Sequence, residues 1–95
     1  MTSTIAPEKL MKYFAITREA LALAKANVND ERQIHADDAL DMVERYVSDA
    51  EYFQASGDVV NAFAALNYAH GWLDCGARTG LFNVKNSRLF TVDDE

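Results

Sequence analysis

The first regular pattern of apolar residues begins after Pro7 and continues to about residue 27. Side chains suited to a buried face recur at alternating steps of four and three residues: Leu10, Phe14, Thr17, Leu21, Ala24 and Val28. Steps of this kind place side chains on one face of an α-helix. Because proline is favoured at the first helical position, the pattern predicts a helix over residues 7–27.

A second helix is predicted over residues 30–56, and two positions compete as its start. Asp30 followed by Gln33 resembles a capping box, while Asp37 is the alternative cap. The earlier start is preferred. The apolar face is Ala36, Leu40, Val43, Val47 and Ala50, widened by Tyr46 and Phe53. Gly57 then suits the left-handed conformation that commonly follows a helix.

A third helix is predicted over residues 58–79, with Asp58 as its cap and Gly80 as its stop. One apolar face carries Val59, Ala62, Phe63, Leu66, Leu73 and Ala77. A second apolar flank carries Tyr68 and Trp72. A helix that is apolar over most of its circumference is buried on two sides.

The tail, residues 81–95, places five apolar residues around a polar turn at 85–87; they are Phe82, Val84, Leu89, Phe90 and Val92. This pattern fits either a short hairpin or an extended strap across the third helix. Either the tail or a second copy of the chain should cover the Tyr68–Trp72 flank, because large exposed apolar patches are unusual in monomers. The tail is preferred. The last three residues are acidic and are expected to fray.

Together these patterns predict a single all-α domain over residues 1–95. Its fold is a three-helix up-and-down bundle with a C-terminal extended tail or short hairpin. The composition agrees, because a chain that is 49% hydrophobic can bury a core, and one proline and four glycines leave little material for turns.

The charge balance narrows the classes of partner. Nine basic residues are scattered among fifteen acidic ones, for a net charge of −6. Nucleic-acid binders usually carry a basic patch, so neither nucleic acid nor a membrane is expected as a partner. The chain has no apolar run of about 20 residues and no recognisable signal peptide, which favours a cytoplasmic protein.

Candidate chemistry concentrates in residues 67–80, where a histidine, the single cysteine and an Asp/Arg pair lie close together. His70 and Asp74 are one helical turn apart and could hydrogen-bond as a base and its orienting carboxylate. A half-buried structural histidine is the simpler interpretation. Cys75 is expected to be a small packing residue, since a helix C-terminal half disfavours a thiolate.

No metal or cofactor is expected, because the chain lacks His-x-x-x-His, Cys-x-x-Cys and Glu-x-x-His patterns. We predict no catalytic residue and classify the chain as a non-enzyme.

The glycines inside the third helix are more informative. An interior glycine costs up to about 1 kcal/mol relative to alanine, so each one calls for a structural reason. Gly76 is predicted to allow close approach of another helix or of the tail, with Tyr68 and Trp72 as packing or interface residues. Gly71 leaves a notch in the polar stripe, walled by Asn67, His70, Asp74 and Arg78. That notch is the candidate site for a ligand or partner. The simpler alternative is that Asp74 and Arg78 only form an ion pair on the surface.

The stretch "GDVVNAFAALNYAHGWLDCGARTGLF", with "APEKLMKYF" near the start and "FTVD" near the end, resembles the archaeal domain-of-unknown-function 357 family. The likeness spans nearly the whole chain. It implies a compact bundle of three helices and an archaeal source. It implies no activity, since none is established for the family.

Two functions are therefore expected in order of preference. The first is a non-catalytic protein-interaction module, with self-association as one form of it, because the third helix is too apolar for two helical neighbours alone. The alternative is small-ligand binding or an enzymatic role at the notch around Gly71.

Overall fold

The computed structural model describes residues 5–92, which form three α-helices in an up-and-down bundle. They are α1 (Pro7–Lys25), α2 (Gln33–Ala55) and α3 (Val59–Arg78), with a short 3₁₀ helix at Asp30–Arg32 before α2. The predicted all-α bundle is confirmed, and each predicted helix lies within two or three residues of the observed one. Residues 1–4 and 93–95, including the acidic end expected to fray, lie outside the described range.

The residue that caps the second helical segment is neither of the two predicted caps. Asn29 is the capping residue, and its side-chain oxygen accepts a hydrogen bond from the Glu31 backbone N–H at 3.1 Å. Gln33 instead donates to Asp37, one turn into α2, at 2.8 Å. The predicted capping box is therefore wrong, because the 3₁₀ turn inserted before α2 shifts the cap to the preceding asparagine.

The other helix ends follow the prediction. The Asp58 carboxylate caps α3 by accepting from the Asn61 N–H at 3.1 Å. Gly57 and Gly80 both adopt positive φ, at 81° and 82°, directly after α2 and α3. A side chain at either position would be strained, so these two glycines fix where the helices end.

Helix α3 is the central element, because both α1 and α2 pack mainly on it rather than on each other. The interfaces are lined by small side chains that let the backbones approach, and the buried alanines are Ala20, Ala24, Ala36, Ala39, Ala50, Ala62, Ala65 and Ala69. All five predicted core residues of α2 are buried. In α3 the buried arc is displaced towards Ala65 and Ala69, because this side faces both neighbours.

The core divides into two clusters along the bundle. One lies where α1 begins and is built around Leu10, Phe14 and Leu66. The other lies where α1 ends and is built around Val43, Leu73 and the large side chains of the tail. The tail therefore completes one end of the hydrophobic core.

The tail leaves α3 towards α1, because it pairs with the α1–α2 connection. Val28 and Phe82 form an isolated antiparallel bridge, in which Asn83 N–H donates to the Asn27 carbonyl at 2.7 Å. Within the described residues the tail contains no β-strand, so it forms the predicted strap and not the hairpin. We call residues 84–92 the strap; Val84, Leu89 and Phe90 within it are buried.

Candidate functional site

His70 joins three elements of the fold. From α3, its Nδ1 lies 3.1 Å from the hydroxyl of Thr17 on α1, and its Nε2 lies 2.6 Å from the Leu89 carbonyl of the strap. A carbonyl oxygen can only accept, so Nε2 carries a proton and donates it to Leu89. In the neutral ring Nδ1 then accepts from the Thr17 hydroxyl. Both ring nitrogens are therefore engaged in structural hydrogen bonds.

Asp74 and Arg78 hold the end of the strap. The Asp74 carboxylate accepts from the Thr91 backbone N–H at 2.9 Å and from the Thr91 hydroxyl at 3.1 Å. The Arg78 guanidinium donates to the Thr91 carbonyl at 3.0 Å. The two side chains thus bind the same residue of the strap, Thr91. The sequence had suggested that they line an open notch or pair with each other.

The hydrogen bond that the sequence allowed between His70 and Asp74 is not formed. The shortest contact, from His70 Nε2 to an Asp74 oxygen, is 3.7 Å, which is too long for a hydrogen bond. The strap explains the separation, because the Leu89 carbonyl takes the Nε2 proton and Thr91 takes the carboxylate. The pair consequently lacks the geometry of a base oriented by a carboxylate.

The tail was expected to cover the Tyr68–Trp72 flank, but the strap covers a different side of α3. It lies on the His70 side of α3, because its pairing with the α1–α2 connection directs it there. The Trp72 ring is half-buried against the core, but Tyr68 stays 54% exposed. The tail reaches this flank at Gly76, and the part around Tyr68 is left open.

Gly76 shows the close approach that its sequence context predicted. A Cβ atom added there would lie 2.7 Å from Cδ2 of the Phe82 ring. Phe82 is 1% exposed, so the ring has no room to retreat. Gly76 is therefore a packing residue that seats the first aromatic residue of the tail.

Gly71 is open, and a Cβ atom added there would meet no atom within 4 Å. It lies beside a shallow, mainly apolar groove of about 400 Å³ along α3, lined by Asn67, Tyr68, Gly71, Trp72 and Cys75. On its other side a depression of about 330 Å³ lies between α1 and α3, lined by Tyr13, Ile16, Asn67, His70, Gly71, Asp74 and Arg88. Gly71 thus separates two depressions of different character.

Cys75 is exposed, so the expectation that it packs inside the bundle is wrong. It lies on the side of α3 that turns away from both other helices, next to the apolar groove. The apolar character of α3 suggested burial on two sides, but the side that carries Cys75 is the one that stays open to solvent.

Tyr46 of α2 and Tyr68 of α3 form a ring pair at the edge of the apolar groove, with centroids 4.4 Å apart. Burial raises the pKa of the Tyr46 phenol above its ordinary value, and the neighbouring Tyr68 adds to this effect. The pair anchors Tyr68 on its α2 side while its outer surface remains exposed.

Three partners in this region were beyond sequence reasoning: the Thr17 hydroxyl, the Leu89 carbonyl and Thr91. The backbone carbonyl leaves no mark in a sequence, and Thr17 reads as one more position on an apolar face. Among residues 5–92, no three His, Cys, Asp or Glu residues are grouped so as to hold a metal ion. Within the same range, no helix has both the length and the apolar character needed to cross a bilayer.

Comparison with known proteins yields a match to one family. The model of the family described as "Protein of unknown function (DUF357)" matches residues 12–82, which include all of α2 and α3 and most of α1. No curated protein and no solved structure matches the chain. The match ends at Phe82, so the strap lies beyond it.

Proposed function

The chain belongs to the DUF357 family, and we propose that it is a non-catalytic protein-interaction module whose binding surface is the outer face of α3. We define this outer face by its exposed residues Val60, Ala64, Tyr68, Gly71 and Cys75. The observation that carries the proposal is the contrast between this uncovered face and the polar groups beside it, which already have structural partners.

The polar groups support a non-catalytic role. His70, Asp74 and Arg78 are the ionisable residues of the candidate notch, and each is engaged with the strap. A general base needs a free ring nitrogen within reach of a substrate proton. Both nitrogens of His70 are occupied, so the histidine serves to connect α3 with α1 and the strap.

The outer face has the character of a helix-docking surface. From Val59 to Leu73, α3 carries no Asp, Glu, Lys or Arg. Val60 and Tyr68 are more than half exposed, although most residues of their type are buried. Tyrosine is frequent among the residues that dominate binding energy, and the open Gly71 leaves space beside it for an apolar side chain. An amphipathic helix laid along α3 would use both features.

Self-association is one form of this proposal, but the size of the face limits it. Residues 60–75 span about 22 Å along the helix, and a helix is about 10 Å wide. The contact is therefore well below the area of a standard stable interface. Two copies joined here would associate weakly, so a partner that also contacts α1 or α2 is favoured.

A pair of charge insertions tests the proposed surface. Tyr68→Glu places a charge at the centre of the outer face, while Tyr52→Glu places one on α2 at a tyrosine that is 69% exposed. Each variant and the wild-type protein would be purified under native conditions. Native mass spectrometry would then detect any protein that co-purifies with them. We expect the associated protein to be retained with Tyr52→Glu and lost with Tyr68→Glu. Equal retention by both variants would contradict the proposal.

Small-ligand binding around Gly71 is the second candidate. It is supported by the depression between α1 and α3, whose volume of about 330 Å³ lies at the lower end of the range for ligand pockets. The same mass spectrometry separates the candidates, because a bound metabolite adds a small mass to each chain and a protein partner adds a large one.

We further propose that the protein acts in the cytoplasm and does not bind nucleic acid; an archaeal source remains an expectation of the family resemblance. An exposed, unpaired cysteine suits a reducing compartment. Several cations are already paired with acids, as in Arg18–Glu51 and Lys25–Glu44. This pairing supports the view that the basic residues do not form a phosphate-binding surface.

A further inference from the structure

Two depressions of the surface meet beside the strap, which covers the groove between α1 and α3. One has a volume of about 390 Å³ and is lined by His70, Asp74 and Arg78 of α3 and by residues 87–92 of the strap. The other is the depression of about 330 Å³ between α1 and α3. His70, Asp74 and Arg88 line both, so the two are continuous at these side chains. We call the joined space the strap cavity.

The strap cavity carries charges of both signs. Arg88 pairs through Nη2 with Glu19 at 2.6 Å, and Arg78 donates one hydrogen bond to the Thr91 carbonyl. A guanidinium has five N–H donors, so both arginines keep donors for a carboxylate. The Asp74 side chain is only 27% exposed, and its oxygens keep lone pairs for a cation beside the two hydrogen bonds from Thr91. These walls suit a ligand with one charge of each sign.

The order of the groups along α3 defines the ligand further. Gly71, Asp74 and Arg78 follow each other at steps of three and four residues, so they share one stripe of the helix. Along the helix axis Asp74 lies about 6 Å from Arg78, and Gly71 lies about 4.5 Å beyond Asp74. A Cβ atom added at Gly71 would meet no atom within 4 Å, and the adjoining wall is formed by Tyr13 and Ile16 of α1. A cation, an anion and an open space beside apolar side chains therefore follow in a line.

We propose that the strap cavity binds a small aliphatic α-amino acid in its zwitterionic form. The carboxylate binds Arg78 and Arg88, and the ammonium group binds Asp74. The aliphatic side chain lies over Gly71 against Tyr13. The three groups of such a ligand are joined through one carbon atom, which suits the short line of wall groups. A ligand with only an anion would place its charge beside the Asp74 carboxylate, and one with only a cation would face two guanidinium groups.

This proposal names the ligand for the second candidate function and rests on the small-ligand binding proposed there. It does not involve the outer face of α3. The strap keeps all its hydrogen bonds when the cavity is filled, and both nitrogens of His70 stay engaged with Thr17 and Leu89. The ligand is therefore bound without chemistry at the histidine.

Titration of the full-length, ¹⁵N-labelled protein with L-leucine tests the proposal. We expect the backbone amide signals of Gly71 and Thr91 to shift, with a dissociation constant of about 1 mM, because a ligand this small in an open cavity gains modest affinity. Two analogues of similar shape serve as controls. Isocaproate lacks the amino group and isoamylamine lacks the carboxylate, so each should bind at least about tenfold more weakly.

Substitutions assign the two charges of the ligand to the walls. Arg88→Gln should weaken leucine binding by about fivefold or more, whereas Arg45→Gln, which removes an arginine paired with Asp41 on the surface of α2, should leave it unchanged. Asp74→Asn should weaken leucine binding but not isocaproate binding, because only leucine has an ammonium group. Tyr68→Glu should bind leucine as the wild-type protein does.

Three results would overturn the proposal. The first is the absence of any shift at Gly71 and Thr91 at a leucine concentration of about 20 mM, well above the expected dissociation constant. The second is equal binding of leucine and isocaproate, which would show a site for anions alone. The third is leucine binding that Arg88→Gln leaves unchanged. None of these results bears on the outer face of α3, which the charge insertions at Tyr68 and Tyr52 test separately.

Discussion

At the scale of single residues, Gly71 and Gly76 show how two glycines in one helix serve different ends. Gly76 has a buried ring against it, and Gly71 has open space. Their positions on the helix already separated them, because Gly71 lies on the polar stripe and Gly76 beside the Trp72 flank. The structure adds the neighbour that fills the space at Gly76, which is Phe82.

Alanine at the two glycines should therefore change stability in opposite directions. Gly76→Ala forces the added methyl group into Phe82, and overpacking of this kind costs about 1–3 kcal/mol. Gly71→Ala adds an exposed methyl group to a helix interior and should stabilise by up to about 1 kcal/mol. Urea unfolding of both variants measures the difference, and a Gly76→Ala protein as stable as wild type would refute the packing role.

Cys75 offers a second test at this scale. Because its side chain is exposed beside the apolar groove, a thiol reagent should label it in native buffer nearly as fast as in denaturant. A bound partner on the outer face of α3 should slow native labelling without affecting the denatured rate. Slow labelling of the isolated protein would instead mean that another copy covers this face.

At the scale of elements, the three helices could be predicted from the sequence, but the course of the strap could not. Helical periodicity located all three helices, because that signal is local. The strap's apolar residues showed that it packs, but not where. Its course is set by contacts between residues far apart in sequence, among them the bridge between Val28 and Phe82 and the hydrogen bonds of Asp74 to Thr91. The same contacts determine which partners the polar residues of the notch have, because Leu89 lies at His70 and Thr91 at Asp74.

Removing the strap should destabilise the bundle strongly. Ending the chain after Asn83 removes buried Val84, Leu89 and Phe90 and exposes the core surface beneath them. Each such side chain contributes about 1.5–3 kcal/mol before the ordering entropy of the strap is subtracted. A net loss of about 2–4 kcal/mol would lower the melting temperature by roughly 10–20 °C. Calorimetry of the truncated protein measures this, and an unchanged melting temperature would show that the strap adds no stability.

At the scale of the whole molecule, alkaline pH should weaken the fold partly through Tyr46. Its pKa is raised in the folded protein by burial and by Tyr68. Above about pH 10 the unfolded chain releases this proton more readily, so stability present at neutral pH is lost as pH rises. Tyr46→Phe cannot ionise, and its melting temperature should fall less between pH 9 and 11. Parallel pH profiles of variant and wild type would contradict this assignment.

The bundle as a whole has one central helix, two helical neighbours and one strap, and this arrangement explains why sequence reasoning placed Cys75 wrongly. Hydrophobicity along α3 suggested burial on two sides and a packing role for Cys75. Two neighbours and a strap cannot enclose a helix completely, so one side stays in contact with solvent. Which side remains open depends on how the helices pack together, and the spacing of residues along α3 carries no signal for it.

The position of the strap also bears on how the protein is made. Synthesis proceeds from the N-terminus at roughly 5–20 residues per second, so Phe82, Leu89 and Phe90 are translated after all the other large core side chains of residues 5–92. Until then the groove between α1 and α3 lacks its cover. It exposes apolar core surface, which is the kind of surface that chaperones bind.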